Sequence, residues 1–201
     1  TDVVNYSQHM EANESETVKN LRACELILQK VIKKHDGRLF NTGGDSFFIE
    51  FPSAVEAVEC AVAFQKDIKK RNSTDEITVP LEFRIGISMG DVIKEKENLL
   101  GDGVNIAARL EALAQTNGIT ISKNIYDLVK AKTSHQYNDL GIQKVKKNEF
   151  HAYDILLDPS QKRKLKTQKS NKPILAIVAS FLVIAVVSYL YITQVNKLKS
   201  T

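Results

Sequence analysis

Residues 1 to about 157 switch repeatedly between two hydrophobic periods, and that alternation restricts the fold more than any other feature of the chain. From 14 to 34 the apolar positions Val18, Leu21, Ile27, Leu28 and Val31 recur at helical spacing, and His35-Asp36-Gly37 ends the run. Arg38 to Phe51 reads as two short strands around a tight turn at Gly43-Gly44, where glycine tolerates backbone angles that other residues avoid. A second helix follows from Ser53 to Arg71, with Ala54, Val58, Ala61 and Val62 on one face. Leu81 to Val92 alternates Phe83, Ile85, Ile87 and Met89 against Glu82, Arg84 and Ser88, the pattern of a half-buried strand. Val104–Ala114 reads as a helix, Gly118–Ile121 as a strand and Ser122–Lys130 as a helix, with closing strands at Tyr137–Val145 and Phe150–Leu156. Interleaved strands and helices predict an α/β or α+β class, with one layer of helices against a sheet.

A different rule governs the C-terminal end. Ile174 to Ile192 is a run of nineteen residues with no charge and two serines as its polar interruptions. At about 1.5 Å per residue it would span roughly 28 Å, close to the hydrocarbon thickness of a bilayer. A buried helix of a water-soluble core would carry a polar stripe, and this run has none. Lys162, Arg163, Lys164, Lys166, Lys169 and Lys172 precede it, while Lys197 and Lys199 follow. The charge asymmetry predicts a single-pass anchor in an inner or plasma membrane, with the N-terminal domain cytoplasmic. The expected organisation is a domain at 1–157, a basic juxtamembrane linker at 158–173, the span at 174–192 and a tail at 193–201. Thr1 opens directly in an apolar strand, so the first strand is expected to be truncated.

Charge excludes one class of partner. Removing those six C-terminal cations from the formal +4 leaves −2, so the main domain carries no nucleic-acid footprint. Cys24 and Cys60 lie in helical stretches with no CxxC spacing, and read as two reduced core thiols.

Two features carry chemistry. Asp45 follows Gly43-Gly44 at a hairpin tip flanked by Leu39-Phe40 and Phe47-Phe48-Ile49, and a carboxylate there suits a hard divalent cation if Asp2, on the first strand, lies alongside. Taken singly, either aspartate also fits a turn or strand end. Asn105 and Arg109 are four apart, so a helix puts them on one face, where an amide and a guanidinium can hold a sugar oxygen and a phosphate. The alternative is that Arg109 pairs with Glu111 or a neighbouring carboxylate.

The strings TDVVNYS, GRLFNTGGDSFFIEFPSAVEAV, FRIGISMGDV and LLGDGVNIAARLEAL, in this order and spacing, closely resemble the catalytic domain of class III adenylate and guanylate cyclases. The likeness covers residues 1 to about 156. It implies a ferredoxin-like, palm-type fold with a mixed sheet, and conversion of a nucleoside triphosphate to its 3′,5′-cyclic monophosphate and pyrophosphate. By the same resemblance, Asp2 and Asp45 with the Val3 carbonyl would hold two Mg²⁺ or Mn²⁺ ions. Asn105 and Arg109 would orient ribose and stabilise charge on the reacting phosphate. Lys146 would grip the triphosphate, with Lys144 and Lys147 as competitors. In this family the aspartates come from one chain and the Asn/Arg pair from another, which implies a homodimer.

Base choice in that family rests on two positions, occupied here by Asn41 and Asn98. Amides both donate and accept, so neither enforces adenine or guanine; the overall string is most similar to bacterial adenylate cyclases, which favours ATP. A diguanylate cyclase is the nearest other enzyme, but it needs an acid where Ser46 stands and lacks the VNIAAR helix. A membrane-tethered dimerisation module without catalysis is the reading from another class, opposed by the presence of Asp2, Asp45, Asn105 and Arg109 together.

Overall fold

The computed structural model describes residues 1–95, 98–145 and 148–165. The chain runs β1 (Asp2–Val3), α1 (Tyr6–Lys34), β2 (Arg38–Gly43), β3 (Ser46–Glu50), α2 (Ala54–Asn72), β4 (Phe83–Ile87), β5 (Ile93–Glu95), β6 (Asn98–Leu100), α3 (Asp102–Leu113), β7 (Ile119–Ser122), α4 (Lys123–Val129), β8 (Gln136–Val145) and β9 (Asn148–Leu156). One five-stranded sheet has the order β1-β4-β7-β9-β8. β4 and β7 run parallel and the other neighbours antiparallel, so the sheet is mixed and the class is α+β. β2–β3 and β5–β6 are separate hairpins.

The period of two decides which strand residues meet which helices. Phe83 and Ile85 of β4, Ile119 and Ile121 of β7, and Tyr153 and Ile155 of β9 point to one face. There they pack with Cys24, Leu28 and Val31 of α1, Val58, Phe64 and Ile68 of α2, and Ile125 and Val129 of α4. Each such side chain contributes about 1.5–3 kcal/mol on burial, so this face carries most of the apolar stabilisation. α3 covers the other face, where Leu110, Leu140 and Ala152 form a small second core. The expectation of a single helical layer is therefore corrected. The alternate residues of β4, β7 and β9 include Gly86, Thr120 and Asp154, which are too small or too polar to advertise a second buried surface.

Three boundaries also differ from the sequence reading. α1 starts at Tyr6 instead of 14, and it breaks at Asn13, whose φ of −160° is not helical. Asn13 Oδ1 accepts from Glu16 N at 3.2 Å and caps the longer piece, so the expected start is real but internal. The strand expected to reach Val92 stops at Ile87. Beyond it Gly90 packs on Gly103 so closely that a Cβ would lie 2.9 Å from Gly103 Cα, and the chain turns away into the unanticipated β5–β6 hairpin. The described part of the segment read as linker, 158–165, stays on the domain: Pro159–Gln161 forms a 3₁₀ turn and Leu165 packs against the second core.

Cys24 and Cys60 are free and buried. Burial pushes the Cys24 thiol up to about 11 and the Cys60 thiol up to about 12. The apolar run at 174–192 lies outside the described residues; among those described, no helix is long and apolar enough to cross a membrane.

Candidate functional site

β1 is two residues long, yet it organises one half of the site. Asp2 pairs with Arg84 and Val3 with Phe83 across the antiparallel β1–β4 ladder. The β2–β3 hairpin closes at the Gly43–Ser46 pair, and its two-residue turn needs the left-handed φ of 66° found at Gly44. Phe47 N donates to Thr1 O at 2.8 Å and Ser46 Oγ donates to Asp2 Oδ1 at 2.5 Å, so the hairpin tip is clamped on β1. Asp2 and Asp45 thereby line one cavity of about 350 Å³, together with Val3, Arg84 and the first turn of α1.

This cavity is rich in carboxylates. Burial raises the Asp45 carboxyl above its ordinary value, and the negative charge of Asp2 raises it further. Arg84 opposes the repulsion: its Nη2 donates to Asp2 Oδ2 at 3.3 Å, and its Nε stands 2.9 Å from Glu111 Oε1 on α3. Glu111 is itself raised, chiefly by burial, with Asp2 and Asp45 adding to the effect. One guanidinium against three carboxylates leaves a deficit of positive charge.

A hard divalent cation fits that deficit and the oxygen donors present. Among the described residues no group of three or more His, Cys, Asp or Glu side chains is placed to hold a metal. Asp2, Val3 and Asp45 line the cavity, and a Mg²⁺ ion held there would complete its shell with phosphate oxygens and water.

The second half of the site sits on α3. Gly86 of β4 lets the helix lie directly on the sheet, since a Cβ there would be 2.1 Å from Ala107 O. Asn105 is exposed and Arg109 half-buried. Arg109 Nη1 is buried with no hydrogen-bond partner among the described residues, and Glu111, its expected alternative mate, is engaged by Arg84. A buried unpaired guanidinium nitrogen costs about 1–3 kcal/mol until something accepts from it.

Neither Asn105 nor Arg109 lines the Asp2/Asp45 cavity. Asn41 lies exposed on β2 opposite Phe48, and Asn98 exposed on β6 opposite Glu95, with β6 against β2. A second cavity, of about 410 Å³, opens between the β2–β3 hairpin and α3 and is lined by Phe40, Phe48, Met89, Val92, Leu99 and Ala108 among others. Lys146 lies outside the described residues. Arg84, Glu111 and Ser46 belong to the site but were not singled out for it from the sequence; alternation showed Arg84 as the polar side of a strand and could not show what it faces.

The profile of the Adenylate and Guanylate cyclase catalytic domain matches residues 1–157. A putative adenylate cyclase 3 of Rhizobium meliloti is 40% identical over 146 residues, which is 72% of this chain; the chain spans 25% of that relative's length. Among solved structures, the adenylate/guanylate cyclase/hydrolase from Silicibacter pomeroyi superposes with a TM-score of 0.67 at 31% identity, covering 78% of this chain and 93% of its own. The adenylyl cyclase CyaB from P. aeruginosa shares the fold, with a TM-score of 0.66 at 24% identity over 81% of this chain and 93% of its own. With the profile spanning nearly all described residues, the chain belongs to the adenylate and guanylate cyclase catalytic domain family.

Proposed function

We propose that this chain cyclises a nucleoside triphosphate, with ATP favoured, to the 3′,5′-cyclic monophosphate and pyrophosphate, at a site completed by a second copy of itself. The observation that carries the reading is the separation of the two halves. Asp2 and Asp45 line a cavity that lacks Asn105 and Arg109, while Arg109 Nη1 stays buried and without a hydrogen-bond partner among the described residues. A two-fold partner would bring one chain's α3 to the other's aspartates and give two equivalent sites. The apolar cavity between the hairpin and α3, with Met89 and Val92 exposed beside it, supplies surface for such a contact.

In the reaction the ribose 3′-hydroxyl gives up its proton to solvent, its oxygen attacks the α-phosphorus, and the bond from that phosphorus to the bridging oxygen breaks to release pyrophosphate. Two divalent cations held by Asp2, Asp45 and the Val3 carbonyl would supply activation of the 3′-hydroxyl and charge neutralisation on the phosphates. Arg84, beside Asp2, would take up negative charge on the departing phosphates. Asn105 would orient the ribose, and Arg109 would donate from its free nitrogen to charge developing at the α-phosphate. Lys146 is assigned to the triphosphate by the resemblance alone.

ATP is favoured by the 40% identity to a putative adenylate cyclase. Asn41 and Asn98 are neutral amides on adjoining strands and accommodate either purine edge, so GTP is the second reading. The run at 174–192 is assigned as a membrane anchor, with the domain on its basic, cytoplasmic side. Purified dimer incubated with ATP, GTP, CTP or UTP and Mn²⁺, followed by mass spectrometry, tests the activity. A cyclic product from ATP is expected; no cyclic product from any of the four defeats the enzyme reading.

A further inference from the structure

After β9 the chain does not leave the domain but runs back along α3. From Gln161 to Leu165 exposure alternates, with Gln161, Arg163 and Leu165 turned inward and Lys162 and Lys164 outward. Gln161 fastens the turn that starts this segment: its Oε1 accepts from Leu157 N at 2.9 Å and Asp158 N at 3.1 Å, and its carbonyl accepts from Gln115 Nε2 at 2.8 Å. Leu165 packs in the second core with Leu110, one residue after Arg109.

Arg163 holds the centre. Its guanidinium donates from Nε to Asp154 Oδ2 at 2.7 Å and from Nη2 to Asp154 Oδ1 at 3.0 Å, the forked geometry that gives direction as well as charge. Asp154 is 5% exposed and is fixed by Thr120 Oγ1, which donates to Oδ1 at 2.7 Å, so the anchor is rigid sheet. The same Nη2 donates to Leu113 O at 2.8 Å, the carbonyl of the last residue of α3. α3 has no basic residue in its own last turn, so the cation for its C-terminal carbonyls comes from fifty residues downstream. Asn138 Nδ2 donates to Arg163 O at 2.7 Å and holds the backbone in place.

We propose that Arg163 is a positioning residue for catalysis: by tying the C-terminal end of α3 to Asp154 it sets where Asn105 and Arg109 stand in the site that α3 completes on a partner chain. The proposal rests on the two-chain reading above. Since displacements near 1 Å from productive geometry cost about 100-fold in rate, loosening one end of a twelve-residue helix is expected to act mainly on kcat.

The two-chain site makes the test selective. Arg163→Lys keeps a cation opposite Asp154 but loses the fork that also reaches Leu113 O; Arg163→Ala loses both. Each is mixed with a large excess of Asp45→Ala chains or of Arg109→Ala chains, so that almost every working site lies in a heterodimer, against the same mixtures made with the unaltered chain. With Asp45→Ala, the working site takes its aspartates from the Arg163 variant and its α3 from the partner, so activity is expected to match the control. With Arg109→Ala, the working site needs the variant's own α3, and kcat is expected to fall about 10- to 100-fold with KM changed less than about threefold. Equal losses in both mixtures, or none in either, overturn the proposal. Failure of Asp45→Ala plus Arg109→Ala to recover activity overturns the two-chain reading instead. A measurement independent of activity then decides for Arg163: hydrogen exchange in Arg163→Lys should quicken at least about tenfold in the last turn of α3 while the β2–β3 amides stay unchanged, and uniform quickening counts against it.

Discussion

Glu111 stands 2.9 Å from Arg84 on β4, not against Arg109 two positions earlier on its own helix. That choice joins α3 to the aspartate cavity, because the same Arg84 reaches Asp2 at 3.3 Å. It also leaves Arg109 Nη1 without a partner among the described residues. One ion pair thus neutralises part of the acidic cluster and frees the residue assigned to the transition state.

Arg84→Gln should therefore destabilise the metal-free domain. Three carboxylates would lose their shared cation; Arg84 and Glu111 keep 30% and 15% of their side-chain surface exposed, so the cost is discounted from the fully buried case to about 2 kcal/mol. Chemical denaturation in EDTA measures it. Mn²⁺ should restore more stability to this variant than to the unaltered chain, and Glu111→Gln added to Arg84→Gln should cost less than the two singly. Additive losses with no Mn²⁺ response would contradict the charge argument.

The raised carboxyls set a pH dependence. Asp45 and Glu111 have folded-state values above their ordinary ones, so between those limits the fold binds more protons than the unfolded chain. Their contribution to stability consequently falls as pH rises through that window, and is recovered on acidification. In EDTA, Asp45→Asn should flatten this part of the Tm–pH curve. Protons and metal compete for the same oxygens, so Mn²⁺ affinity measured by titration calorimetry should weaken as pH drops through the raised Asp45 value. An affinity independent of pH across that range would remove Asp45 from the metal site.

Most of the element order and the hairpin tip were legible in the sequence because they depend on local rules, period and glycine turns; the β5–β6 hairpin was not. The second helical face was not, since Gly86, Thr120 and Asp154 bury themselves through a close approach and a polar network. Arg84 was invisible for a related reason. Its role depends on the β1–β4 register that sets it opposite Asp2, and a short strand does not announce its register. Arg163 looked like one of six similar cations; only the fold shows that it alone among Lys162, Arg163 and Lys164 turns inward.

The two thiols should behave as core atoms. Cys24 is 0% exposed and Cys60 3%, and burial pushes both thiols up, to about 11 and about 12. Little thiolate exists near neutral pH, and the thiolate is what reacts. An aromatic disulfide reagent should label neither cysteine in the folded chain and both after guanidinium unfolding. Rapid labelling of either in the native state would show that α1 or α2 opens locally.

Gly86→Ala should be the most damaging single methyl in the domain. The added Cβ would meet Ala107 O at 2.1 Å and Glu111 N at 2.2 Å, and both are backbone atoms of α3 that no rotamer change can move. The helix must lift or slide, and overpacking of this kind costs about 3 kcal/mol. The displacement also carries Asn105 and Arg109 with it and pulls Glu111 from Arg84, so activity should fall by more than about 100-fold, beyond what the lost stability explains. Denaturation and steady-state rates on the same preparation separate the two effects. A stable Gly86→Ala chain with near-normal kcat would mean that α3 has freedom on the sheet that this contact denies.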